Sequence, residues 1–227
     1  MPRIRHVKGT KRMAYALTWE EQDRPFRHLP TGRDMGAALF AVNMGVRKAE
    51  LFGIRWSDTR AIPELETIVF ILTDTKNGQD RAVICNSVAR LSVERQRGNG
   101  SRFVFPSRAG SNLGGQVRSS GKVWNHAWRK AGLLVDSLIR KRIHNPRHTF
   151  GHRLRSAGVQ TEDRDALLGH SNKSLTQRYA MPDIERLLVA AELVKERKDT
   201  VALRSAGAWL RNVSLQSNRC YKVSRGD

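Results

Sequence analysis

The sequence predicts a mainly α-helical fold with a small antiparallel β-sheet in its middle, an α+β architecture. Three observations carry this. Apolar residues recur at three- and four-residue spacing between Asp34 and Asn43 and again beyond Lys122, the period of helices with a buried face. Between those stretches, Thr67-Ile68-Val69-Phe70-Ile71-Leu72 and Arg81-Ala82-Val83-Ile84-Cys85 are β-branched and aromatic runs, the composition of strands. Asn77-Gly78 separates the two runs, and that dipeptide is the strongest short hairpin signal.

The elements follow in chain order. Residues 1–16 hold Arg3, Arg5, Lys8, Lys11 and Arg12 with little apolar content, and read as a basic arm or linker remnant. Thr18-Trp19-Glu20-Glu21 is a capping box that starts the first helix of a folded unit over 17–196. Met35, Ala38, Leu39 and Val42 line the next helix, Gly45 ends it, and a short helix runs from Lys48 to Ile54. After the two strands, Arg102-Phe103-Val104-Phe105-Pro106 supplies a third, and the Gly/Ser-rich stretch from Gly110 to Gly121 is a loop. Val123, Trp124, Ala127 and Trp128 form a helical stripe closed at Gly132. Asn145-Pro146 opens a helix that Gly158 closes, Thr161 caps the next through Leu168, and a last amphipathic helix follows Pro182. Residues 197–227 form a basic, weakly periodic tail.

Composition bounds the function. The 227 residues carry 41 Lys plus Arg against 21 Asp plus Glu, a formal net charge of +20. An excess of that size on a small domain points to a polyanion, foremost nucleic acid, because cations near phosphates release condensed counterions. With 39% hydrophobic residues the chain can bury a core, so wholesale disorder is excluded. No apolar run approaches the roughly 18–20 residues of a membrane span, and no apolar stretch follows the basic N-terminus as in a secretory signal. Cys85 and Cys220 match no metal-ligand spacing. A disulfide framework and a zinc site are therefore not expected, and a reducing compartment fits.

Four segments hold chemistry-bearing residues. Arg47, at a helix–turn–helix junction, has Glu50 three residues on; its planar fork suits a phosphate, though taken alone the pair reads better as a helix-surface salt bridge. Lys76 sits at the hairpin tip, where it can reach a neighbouring groove or simply be solvated. His144 and Arg147 flank a helix N-terminus, where both can face one anion, with His148 beside them. His170 follows a helix end in Leu167-Leu168-Gly169-His170, and Tyr179 lies nine residues later in Arg178-Tyr179-Ala180. A lone tyrosine at a helix edge is more often a rim residue than a nucleophile.

Taken together, in their order R-x-x-E-L, T-K at a β-turn, H-x-x-R-H-T-F, L-L-G-H and R-Y-A, these segments resemble the tyrosine recombinase (phage integrase) family. The resemblance covers roughly Leu17 to Val194. It implies a recombinase catalytic-domain-like fold and DNA strand cleavage by a tyrosine, giving a 3′-phosphotyrosyl intermediate and a free 5′-hydroxyl without metal or cofactor. By resemblance Tyr179 is the nucleophile, Arg47 and Arg147 clamp the non-bridging oxygens, and Lys76 is the general acid for the leaving 5′ oxygen. His144 assists near the tyrosine hydroxyl and His170 hydrogen-bonds the phosphate. Glu50 supports the arginines and His148 packs behind the site. The expected partners are double-stranded DNA and other recombinase protomers in a tetrameric synapse, in the cytoplasm near the nucleoid, and the resemblance implies a bacterial or phage origin.

The physical logic agrees, since a phenol of pKa near ~10 needs dense positive charge around it to act as a nucleophile at neutral pH. The sequence departs from the family in carrying Asn145-Pro146 where an acidic residue and a leucine are usual. Only sixteen residues precede Leu17, where relatives carry a helical domain that closes around DNA. Two rivals remain: a DNA-binding derivative of the same fold with weak or no activity, and a type IB-like topoisomerase that shares the chemistry but relaxes supercoils without partner exchange. A ribosomal-type RNA binder explains the charge but not the ordered motifs.

Overall fold

A computed structural model describes residues 15–73, 80–108, 110–117, 121–133, 145–170 and 181–195. The basic arm up to residue 14, the hairpin tip at Asn77-Gly78 and the 197–227 tail lie outside the described residues.

Helix α1 (Trp19–Phe26) starts where the capping box predicts: the Thr18 hydroxyl accepts from the Glu21 N–H, and Glu21 accepts from the Thr18 N–H. Helix α2 (Arg33–Met44) ends at Gly45 in the left-handed conformation, and α3 (Lys48–Gly53) follows. The sequence suggested one buried face for α2, yet every residue from Gly36 to Met44 is buried. The reason is that α2 separates two apolar clusters. Phe40, Ala41 and Met44 join Phe70, Phe105, Phe150 and Leu154 on one side. Ala38, Leu39 and Val42 join Leu17, Phe26, Trp124 and Trp128 on the other.

The sheet is antiparallel in the order β1-β2-β3, with β1 at Thr59–Ile62, β2 at Thr67–Leu72 and β3 at Arg81–Ile84. Thr59 faces Phe70 across the first ladder, and Leu72 faces Arg81 across the second. One expectation fails here. The Arg102–Pro106 stretch makes a single bridge, Phe103 with Arg55, while β1 is the third strand. Phe103, Val104 and Phe105 are buried as core side chains, which gives that segment its apolar pattern without ladder pairing.

Helix α4 (Ser87–Glu94), absent from the sequence reading, is capped by Asn86, whose side-chain oxygen accepts from the Ala89 N–H at 3.0 Å. Helix α5 (Gly121–Lys130) brings Trp124 edge-on to Phe26, with centroids 6.2 Å apart. Helices α6 (Asn145–Ser156), α7 (Thr161–Leu168) and α8 (Met181–Glu192) complete the fold. Gln160, not Thr161, is the cap residue of α7; Thr161 is its first helical residue and its hydroxyl accepts from Arg164. The buried Asn86 amide donates to the Ala191 carbonyl at 3.0 Å, tying α8 to the start of α4. Among the described residues no helix is long and apolar enough to cross a membrane.

Candidate active site

The site grows out of the turn that ends α2. Gly45 has φ +57, and a Cβ there would stand 2.4 Å from the Phe150 ring, so glycine is required twice over. Its carbonyl faces α6 and accepts from Arg147 Nη1 at 2.6 Å. Two residues on, Arg47 is the N-cap of α3 in extended conformation. Glu50 receives the Arg47 N–H on Oε2 at 2.7 Å and Arg47 Nη1 on Oε1 at 2.8 Å. The same carboxylate therefore starts a helix and orients a guanidinium.

A second guanidinium shares that carboxylate. Arg81, the first residue of β3, donates from Nη1 to Glu50 Oε2 at 2.7 Å and from Nη2 to the Leu167 carbonyl at 2.6 Å. Its side chain is only 4% exposed. Arg147 Nη2 donates to the next carbonyl, Leu168, at 2.6 Å and lies 2.9 Å from His170 Nε2. Two arginines thus cap the C-terminus of α7, whose last carbonyls have no partner within the helix and carry its negative end. Gly169, at φ +64, makes room for this, since a Cβ there would meet Arg81 Cδ at 2.5 Å.

The charge does not balance. Three guanidinium groups lie around the Glu50 carboxylate, with Asp165 beside His170 as a second acid, so positive charge is in excess among the described residues. Burial opposes the ionised form of Glu50, but Arg81 and Arg47 outweigh it and hold the carboxyl below its ordinary value. Burial, then Arg81 and Arg47, push the Arg147 guanidinium down to about 9. Burial and then Arg147 lower His170, so its ring is neutral at pH 7. With Nε2 facing an Arg147 N–H, the hydrogen-bond pattern assigns the ring proton to Nδ1, which faces Asp165 Oδ1 at 3.6 Å. Such a cluster is a preformed receptor for an anion. Arg147 has five N–H donors, of which the two carbonyls and His170 take three.

Beside the cluster a groove of about 530 Å³ is lined by Arg147, His148, His152, Arg155, Arg164 and His170. Of the residues singled out in the sequence, Arg47, Glu50, Arg147 and His170 come together; His148, expected behind the site, lines the groove beside Arg147. Lys76, His144 and Tyr179 lie outside the described residues. Arg81 escaped the sequence reading, because a cation opening an apolar strand looks like an exposed edge residue. Among the described residues no group of three or more His, Cys, Asp or Glu could hold a metal ion.

A helical domain with a three-stranded sheet and an arginine pair sharing one carboxylate defines a class, and comparison identifies it. The sequence pattern described as the phage integrase family matches residues 25–186, so the chain belongs to that family. It is 26% identical over 200 residues to the tyrosine recombinase XerA of Thermococcus kodakarensis, covering 85% of this chain and 67% of that one. In structure it is similar to the integrase of mycobacterium phage Brujita, with TM-score 0.61 and 18% identity over 84% of this chain and 62% of the other. It is also similar to the XerH site-specific recombinase in a pre-cleavage complex with its difH substrate, with TM-score 0.56 and 14% identity over 89% of this chain and 56% of the other. The chain spans about two thirds or less of the length of these relatives.

Proposed function

We propose that this chain is the catalytic domain of a site-specific DNA recombinase, cleaving and rejoining duplex DNA through a 3′-phosphotyrosyl intermediate. One observation carries the reading. Arg47 and Arg147, a hundred residues apart in sequence, are held in one cluster whose positive charge exceeds its negative charge.

In the first step the Tyr179 phenolic oxygen attacks the scissile phosphorus as the bond from phosphorus to the 5′ oxygen breaks. His144 takes the phenolic proton and Lys76, in the segment joining β2 to β3, delivers one to the departing 5′ oxygen. The product is a tyrosyl ester on the 3′ side and a free 5′-hydroxyl, and attack by a 5′-hydroxyl reverses the step. Arg47 and Arg147 neutralise the non-bridging oxygens, whose charge grows in the transition state, and a site already short of anions does this without reorganising. His170, beside Arg147, joins them by hydrogen-bonding the phosphate through its ring N–H. The basic groove beside Arg147 holds the flanking DNA backbone, and further protomers assemble on the same DNA. The working compartment is the bacterial cytoplasm.

The test is a nicked duplex whose cleaved fragment diffuses away. A covalent protein–DNA band with a free 5′-hydroxyl supports the reading. DNA binding without any covalent band favours a binding protein derived from the fold. Relaxation of supercoiled plasmid in the absence of strand exchange favours the topoisomerase.

A further inference from the structure

We infer that Arg81 is a positioning residue for the phosphate clamp, setting Arg47 through Glu50 and Arg147 through the end of α7. The inference rests on the recombinase reading and adds to it a residue that never meets the substrate.

Arg81 joins three distant pieces of chain. Its backbone belongs to β3 opposite Leu72, one nitrogen holds the carboxylate of α3, and another holds a carbonyl at the end of α7. Each clamp arginine is one link away. Glu50 gives Oε1 to the Arg47 guanidinium, while its Oε2 is fixed by Arg81 and the Arg47 N–H, so Arg81 sets the carboxylate plane that aims Arg47. The Leu167 carbonyl held by Arg81 immediately precedes the Leu168 carbonyl held by Arg147. Gly169, packed against the Arg81 stem, leads directly into His170. At 4% exposure the Arg81 guanidinium lies beneath the surface where a phosphate would sit. Only a planar fork spans both acceptors; a lysine ammonium at the end of a flexible stem holds one at a time.

Arg81→Lys keeps the charge and loses the fork. Gly169→Ala keeps all the charged side chains and forces the Arg81 stem aside. Both are assayed, with Arg47→Ala as reference, on a nicked duplex with either a phosphodiester or a methylphosphonate at the scissile position. In the methylphosphonate a neutral methyl replaces one charged oxygen, so cleavage depends less on the clamp. The expected result for Arg81→Lys is a loss of about 100-fold on the phosphodiester and less than about tenfold on the methylphosphonate, because a misplacement near 1 Å costs about that factor. DNA affinity should hold within about twofold, and Gly169→Ala should share the substrate-dependent loss. Equal losses on both substrates, or wild-type rates on both, would overturn the inference. If Arg81→Lys does not fold, Gly169→Ala decides by the same criterion. A wild-type chain that traps neither substrate overturns the recombinase reading and this inference with it. Active wild type beside equally active variants overturns this inference alone.

Discussion

Around Phe40, α2 is walled by rings: Phe70 stands edge-on with centroids 5.8 Å apart, and Phe105 is tilted at 5.6 Å. Just past Gly45 the chain enters a cluster of three guanidinium groups and one carboxylate. In the first region every contact removes apolar surface from water, and stability accumulates with area. In the second, partly desolvated cations lie beside one another, and among the described residues Glu50 and Asp165 offset only part of their charge. The aromatic interior therefore holds the cationic seam in a shape that the seam would not keep alone. Stability and chemistry should respond separately to substitution in the two regions.

The sharpest separation should come from Tyr179→Phe. It removes one hydroxyl, so covalent DNA trapping should vanish on a denaturing gel while duplex affinity stays within about twofold. Persisting covalent product would show that another group is the nucleophile. On the other side, Phe40→Ala should lower folding free energy by about 3–5 kcal/mol in a denaturant titration, because a fully buried ring leaves a cavity. Cleavage per folded molecule should then change far less than stability.

Arg147→Ala reverses that pattern. Loss of one preorganised donor at the transition state should slow cleavage by about 10²–10³-fold in single-turnover assays. Stability should move by less than about 2 kcal/mol, since the two carbonyls it leaves are offset by relief of repulsion from Arg47 and Arg81. A large destabilisation with intact chemistry would erase the distinction between the regions.

The smallest effect concerns His170. Its folded-state affinity for a proton lies below the ordinary value of 6.5, so the unfolded chain binds more protons just under that pH. The contribution of this ring to stability is complete above pH 6.5 and falls as the pH drops below it. Thermal midpoints between pH 7.5 and 5 should show a shallow decline that His170→Gln flattens. The Glu50 carboxyl, held below 4.5, titrates in a lower window and leaves this one clear.

How far each region could be read from sequence follows from the range of its interactions. The Thr18–Glu21 box, the Gly45 stop and strands β2 and β3 obey local rules of spacing and backbone geometry, and all stand where those rules put them. The edge strand β1 was illegible because Thr59-Arg60-Ala61-Ile62 is short and half polar, and only its ladder to β2 makes it a strand. Phe103 to Phe105 misled for the converse reason, since burial alone produces a β-like composition. In the site, Arg47 with Glu50 and Arg147 with His170 were visible as motifs. Arg81 was not, because the partners that bury it lie 31 and 86 residues away, and no local pattern announces them.

Near the start of the described chain, the Leu17 N–H donates to the Thr149 hydroxyl at 2.9 Å, and that hydroxyl donates to the Asn145 carbonyl at 2.8 Å. Thr149 lies within α6, two residues after Arg147. Mechanically, this stitch is a tether. A pull arriving along the backbone from residue 15 meets α6 at Leu17, before it can load the hydrogen bonds of α1. Tension would bear on the first turn of the helix that carries Arg147, and the guanidinium has only a few bonds of slack between that turn and its two carbonyl anchors. Whatever holds the chain at that end holds the clamp as well.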